Sequence, residues 1–164
     1  MTNAKARLIH SCPPEFLQAI GDVTVSYANL QWTLDILVCA LLDGLTADKR
    51  GAVTANLSFS QLVTLLDALY VHHEPKKVPY SSLAHIIKRL ESVAQERNRL
   101  NHSMIMHSRE DLTLVTFRKN KKGKGFNAIE SSITINDLAQ LNNRIQEVGG
   151  DLIEFHKMIE GIAE

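Results

Sequence analysis

Cysteine is scarce in this chain. Only Cys12 and Cys39 occur, too far apart in sequence to form a metal-type pair, so neither a disulfide framework nor a zinc module is encoded. Cys39 lies inside an apolar helical run and reads as a buried thiol in a reducing compartment. Basic excess is missing too. Eighteen Lys and Arg balance eighteen Asp and Glu, which argues against a protein that coats or packages long nucleic acid. Neutrality still leaves room for a small site that meets a single phosphate. Long apolar runs are absent. The most apolar stretch, Leu34 to Leu42, is interrupted by Asp35 and is far too short to span a bilayer, and Met1 to Ser11 lacks the continuous apolar core of a signal peptide. A cytoplasmic protein with no membrane partner is expected. There is no internal repeat, long linker or low-complexity tract, and no phosphate-binding glycine loop or nucleophile elbow.

What is present is helical periodicity. Apolar residues form 45% of the 164 positions, enough for one domain to build a core without metal or disulfides. Pro13 and Pro14 suit a helix start. Phe16, Ile20, Val23, Tyr27, Leu30, Leu34, Leu37 and Leu41 then follow at threes and fours, a single stripe that ends before Gly44. Trp32, Ile36 and Val38 widen the stripe, so burial of this end on more than one side is expected. Thr46 to Asn56 reads as one short helix. Ser58 with Gln61 forms a capping box ahead of Leu62, Leu65, Leu66 and Leu69, in a helix ending near His72 and His73. Pro75 and Pro79 bracket a basic linker. A further helix starts near Ser81, with Leu83, Ile86, Leu90, Val93, Arg97, Leu100 and Met104 on its stripe. Arg97 thus takes a position that the period reserves for the core.

From Met104 to Ile135 the period is lost. Leu112 to Phe117 favours a strand, Asn120 to Gly125 a turn, Phe126 to Ile135 a returning strand, and Ser103 to His107 a third. Thr134 with Asp137 repeats the capping-box pattern before a last helix carrying Leu138, Leu141, Ile145, Val148, Leu152, Phe155, Ile159 and Ile162, interrupted by Gly149 and Gly150. The expected fold is mainly α: an up-and-down bundle of three or four helices over residues 1–164, with a small antiparallel β-hairpin or meander before the last helix. The stripes must bury one another or a second copy of the chain.

One segment combines residues suited to chemistry: Glu96-Arg97-Asn98-Arg99-Leu100-Asn101-His102-Ser103. Arg97, Asn98 and His102 are spaced so that Asn98 and His102 share a helix face, while Arg97 and His102 lie about 140° apart on a regular helix. Asn98 is therefore placed to hold the His102 imidazole. Arg97 and His102 meet one substrate only if the helix ends between them or if two chains contribute. A charged Arg on an apolar stripe is costly unless it is paired, with Glu91, Glu96 or an acid of the first helix as ordinary partners. A histidine at a helix C-terminus is also favoured by the dipole alone.

This segment resembles the signature of the HEPN superfamily: an Arg, often followed by a polar residue, then a His after four to six intervening positions. The order of elements resembles that family as well, so residues 1–164 are expected to form a single HEPN-like helical domain. The resemblance implies RNA cleavage without metal or cofactor by a homodimer whose two motifs face each other, in a toxin or defence (toxin–antitoxin) setting with an antitoxin or other protein as partner. Arg97, Asn98 and His102 would be the catalytic residues. His102 would move a proton at the 2′-hydroxyl or the leaving oxygen, and Arg97 would stabilise phosphate charge. The alternative is a non-catalytic helical module for dimerisation or for binding RNA or protein. Arg118, Lys119, Lys121, Lys122 and Lys124 form a basic run on the hairpin, which reads as a solvated turn or as a guide for an RNA backbone. His72-His73-Glu74 and the His10, Cys12 pair lack a second pair at ligand spacing and read as solvated surface.

Overall fold

The stripe that begins at Phe16 buries one side of a helix about seven turns long. In the computed structural model this helix, α1, runs from Pro14 to Leu41, with Pro13 as its N-cap. The structure describes residues 12–42, 44–72, 79–107, 112–119 and 126–161. Among these, α2 spans Ala47–Thr54, α3 Phe59–His72, α4 Tyr80–Asn101 and α5 Ile135–Glu160. The strands are β1 Met104–His107, β2 Leu112–Lys119 and β3 Phe126–Ile133.

Local signals set most of these boundaries. Gly44, with φ of 74°, turns the chain after α1 in a backbone region that side-chain-bearing residues avoid. At the start of α3, the Ser58 backbone N–H donates to Gln61 Oε1 at 2.8 Å, and the Gln61 N–H donates to Ser58 Oγ at 3.4 Å. At the start of α5, the Thr134 N–H donates to Asp137 Oδ2 at 2.8 Å and the Asp137 N–H to Thr134 Oγ1 at 3.1 Å. Both capping boxes satisfy N–H groups that a helix start leaves without intrahelical partners. Helix α5 runs unbroken through Gly149 and Gly150, and a Cβ at Gly149 would meet Leu30 of α1 at an ordinary 3.7 Å.

The four long helices close a ring: α1 packs on α3 and α5, and α4 packs on α3 and α5. This is the expected mainly α bundle. Its core joins Leu30, Leu34 and Leu37 of α1, Leu62 and Leu66 of α3, Leu83 and Leu90 of α4, and Ile145, Leu152 and Phe155 of α5. Full burial of each such side chain stabilises by roughly 1.5–3 kcal/mol before the entropy of ordering the chain is counted. The short α2 leans on α1 alone among the main packings.

The sheet is a meander, β1-β2-β3, antiparallel throughout. Met104 pairs with Val115, so Thr116 to Lys119 of β2 run on past the start of β1 and pair only with β3. Arg99 Nη2 donates to Ser131 Oγ of β3 at 2.7 Å, tying the sheet to the end of α4.

Two expectations about α1 fail. Trp32 and Ile36 are exposed, and only Val38 of the three widening residues is buried. The bundle covers one side of α1, and α2 is too short to cover the other. Cys39 is half-buried rather than buried, with Sγ 3.7 Å from Thr54 Oγ1 at the α2 edge.

Candidate functional site

Arg97 follows Val93 on the α4 stripe and precedes Leu100, and both neighbours are buried. The packing reconciles a charge with that position. The guanidinium lies over the Tyr27 ring of α1, with Cζ 4.6 Å from the ring centroid. Tyr27 itself is buried and rests against Phe59, the first residue of α3, with centroids 4.8 Å apart. The Arg97 stem thus continues the apolar stripe while its head closes the core from outside. Burial pushes the Tyr27 phenol up, and the Arg97 guanidinium pulls it partly back.

Among the described residues, the other partners of Arg97 are neutral amides. Nη1 donates to Asn98 Oδ1 at 3.3 Å. With the Asn101 amide turned so that its oxygen faces the guanidinium, that oxygen accepts from Nη2 at 3.1 Å and from Nε at 3.2 Å. The ion pair with Glu96 considered from the sequence is not made. Glu96 accepts instead from Arg144 of α5, at 2.6 Å and 2.5 Å to its two oxygens. Glu91 is exposed on the far side of α4.

A cleft of about 290 Å³ opens beside the guanidinium. Tyr27 and Gln31 of α1, Phe59 and Ser60 at the start of α3, and Arg97 and Asn98 of α4 line it. The cleft therefore collects the first turn of α3, where backbone N–H groups and the helix dipole favour negative charge, beside a guanidinium held by neutral groups.

His102 is exposed and forms the C-cap of α4, with φ −102° and ψ 8°. Its backbone N–H donates to the Asn98 carbonyl at 2.9 Å. Although α4 ends at Asn101, this i→i−4 bond keeps His102 on the helical spiral, so its Cα still lies about 140° round the axis from that of Arg97. The described contact of Asn98 with His102 runs through this backbone bond. The Asn98 side chain turns to Arg97 instead, which corrects its expected role of holding the imidazole. Ser103 Oγ donates to the Arg99 carbonyl at 2.5 Å and closes the turn into β1.

Arg97 and Asn98 share the cleft, whereas His102 is not among its lining residues and sits at the helix end. Arg118 and Lys119 end β2, opposite Asn127 and Phe126 of β3, and Lys121, Lys122 and Lys124 lie outside the described residues. His10, His73 and Glu74 also lie outside them, and the described residues hold no His, Cys, Asp and Glu group suited to a metal ion. No helix among the described residues is long and apolar enough to cross a membrane.

Sequence reasoning missed Tyr27, Gln31, Ser60 and Asn101. Tyr27 reads as plain core, since periodicity shows which face is buried but not what that face meets. The Ser58 and Gln61 capping box marked a helix start, and its place beside Arg97 is a tertiary fact. Comparison with protein-family models, with curated proteins and with solved structures finds no match to this chain.

Proposed function

We propose that this chain is a HEPN-like, metal-independent endoribonuclease that acts as a dimer, in a toxin or defence setting. One observation carries the reading. Arg97 is fixed by a ring and two amides, none of which neutralises it, at the mouth of an open cleft. A guanidinium so held keeps its full charge for a phosphate and loses little freedom on binding one.

In the proposed reaction, the 2′-hydroxyl of the RNA attacks the adjacent phosphorus and its proton leaves to a base. The bond from phosphorus to the 5′-oxygen breaks, and that oxygen takes up a proton. The products are a 2′,3′-cyclic phosphate and a 5′-hydroxyl. His102 serves one or both proton transfers, Arg97 stabilises the charge that builds on the phosphoryl oxygens, and Asn98 orients Arg97. The basic run from Arg118 and Lys119 through Lys121, Lys122 and Lys124 would hold the RNA backbone.

A second reading, a non-catalytic module for dimerisation or for binding RNA or protein, is favoured by the separation of His102 from the Arg97 cleft. Incubation of the pure chain with mixed RNAs in EDTA separates the two. The enzyme reading expects fragments ending in cyclic phosphate, no cut in DNA of the same sequence, and a loss of about a hundredfold or more in His102→Ala with an unchanged melting curve. Intact RNA gives the module reading instead, whereas His102→Ala cutting at the wild-type rate overturns the proposed mechanism.

A further inference from the structure

The side of α1 turned away from the bundle is apolar along most of its length. Leu17 is 56% exposed, Val25 62%, Trp32 68% and Ile36 41%, and with Gly21 and Ala28 they form one stripe about 160° from the buried one. Helix α1 contains no lysine or arginine, and the stripe is edged by Asp22 and Asp35. An anionic membrane or an RNA backbone finds no complement there, whereas another protein surface does.

The stripe is symmetric about the midpoint between Ser26 and Tyr27. Leu17 and Ile36 are equidistant from it, as are Gly21 and Trp32, and Val25 and Ala28. Each large side chain mirrors a small or complementary one. We infer that two copies of this chain dimerise through α1, antiparallel about a two-fold axis at Ser26–Tyr27, with Trp32 of each copy seated over the partner's Gly21. A Cβ at Gly21 would meet nothing within 4 Å in the single chain, so the space for the indole is open. Asp22 falls level with Asn29 and Gln31 of the opposite helix, and Asp35 falls level with Leu17 and Gln18, so no carboxylate faces another. The exposed apolar surface of the stripe is on the order of 500 Å² per chain, so pairing removes about 1,000 Å² in total, the lower bound for a specific interface. Gln31 edges the Arg97 cleft and also a groove beside Trp32 that Ala28 and Asp35 of α1 share with Thr54 and Ala55, so this axis sets the two clefts along the rim of one interface.

The inference rests on the dimeric part of the reading above and not on cleavage. Its test is sedimentation of the full chain across a dilution series, read together with the emission of Trp32, the single tryptophan. A dimer is expected, with emission shifting to the red as it dissociates. Trp32→Glu and, independently, Gly21→Leu should each weaken dimerisation by about thirtyfold or more with unchanged helical circular dichroism. Both sites are exposed and open in the single chain, so a folded monomer is the expected product. A wild-type monomer at tens of micromolar overturns both this interface and the dimeric reading. A dimer that survives in both variants overturns the interface alone, and a Trp32 face that pairs only with a different protein does the same.

Discussion

Arginines on either side of α4 meet different company. On the α5 side, Arg89 bonds to Glu147 at 3.0 Å and also to Asp151, and the α5 residue Arg144 reaches back to both oxygens of Glu96. On the α1 and α3 side, Arg97 meets a ring and two amides. The first set uses carboxylates to stitch two helices together. The second uses neutral groups to hold a charge in place without satisfying it. Neutral partners alone do not set Arg97 apart, since Arg99 is held by Ser131 and Arg50 by backbone carbonyls; what Arg97 adds is an open cleft beside its guanidinium. The contrast together with that cleft, more than the spacing of Arg97 and His102, is the structural support for a phosphate-directed role.

The contrast breaks most visibly at Tyr27, which serves both the core and the site. Tyr27→Ala should cost about 3–5 kcal/mol of stability in denaturant unfolding, because a buried ring is lost from between α1 and α3. Tyr27→Phe keeps the ring beneath Arg97 and should leave both stability and RNA cleavage close to wild type. A Tyr27→Phe chain that folds but does not cut RNA would mean that the hydroxyl, not the ring, matters to the site.

A smaller effect is expected at the α5 capping box, on the structural side of the comparison. The Asp137 carboxyl is held below the usual carboxylate range by the Thr134 backbone N–H and then by its hydroxyl. Its contribution is complete above the unfolded-state value of about 3.9 and is lost as pH falls through the depressed folded value. Asp137→Asn should therefore lower stability by about 1 kcal/mol at neutral pH, with the difference closing in strong acid. Urea melts of both chains at neutral pH and in the acid range check this. A difference that persists unchanged in acid would remove the ionised carboxylate as its cause.

The smallest effect belongs to the α4–α5 ion pairs. Arg144 and Glu96 are both partly exposed, so solvent screens their attraction. Arg144→Gln should cost at most about 1 kcal/mol, less in high salt. Melting the variant at low and high ionic strength tests the assignment.

The sequence carried several helix starts because each had a local cause, Pro14 at α1 and the boxes at Ser58 and Thr134, but it ran the α4 stripe on to Met104, which opens β1 after the helix stops at Asn101. It also singled out Arg97 as a charge on a core stripe. It did not disclose that Tyr27 lies under that charge, since a stripe has no label for the helix it will face. Trp32 and Ile36 misled for a related reason. Apolar residues on two sides of one helix look alike in a periodic pattern, whether the second side meets the same bundle or another chain. Asn98 pointed to His102 by spacing, but in the fold its side chain bonds to Arg97 and it meets His102 through the backbone bond that ends α4.

The most direct test of the central contrast compares Arg97→Gln with Arg144→Gln for cleavage of one RNA in EDTA, at a temperature where both chains are folded. Wild type is expected to cut, Arg97→Gln to lose about a hundredfold or more, and Arg144→Gln to stay within a few fold of wild type. Equal losses in the two variants, an Arg97→Gln chain that cuts at full rate, or a wild type that leaves the RNA intact would contradict that contrast.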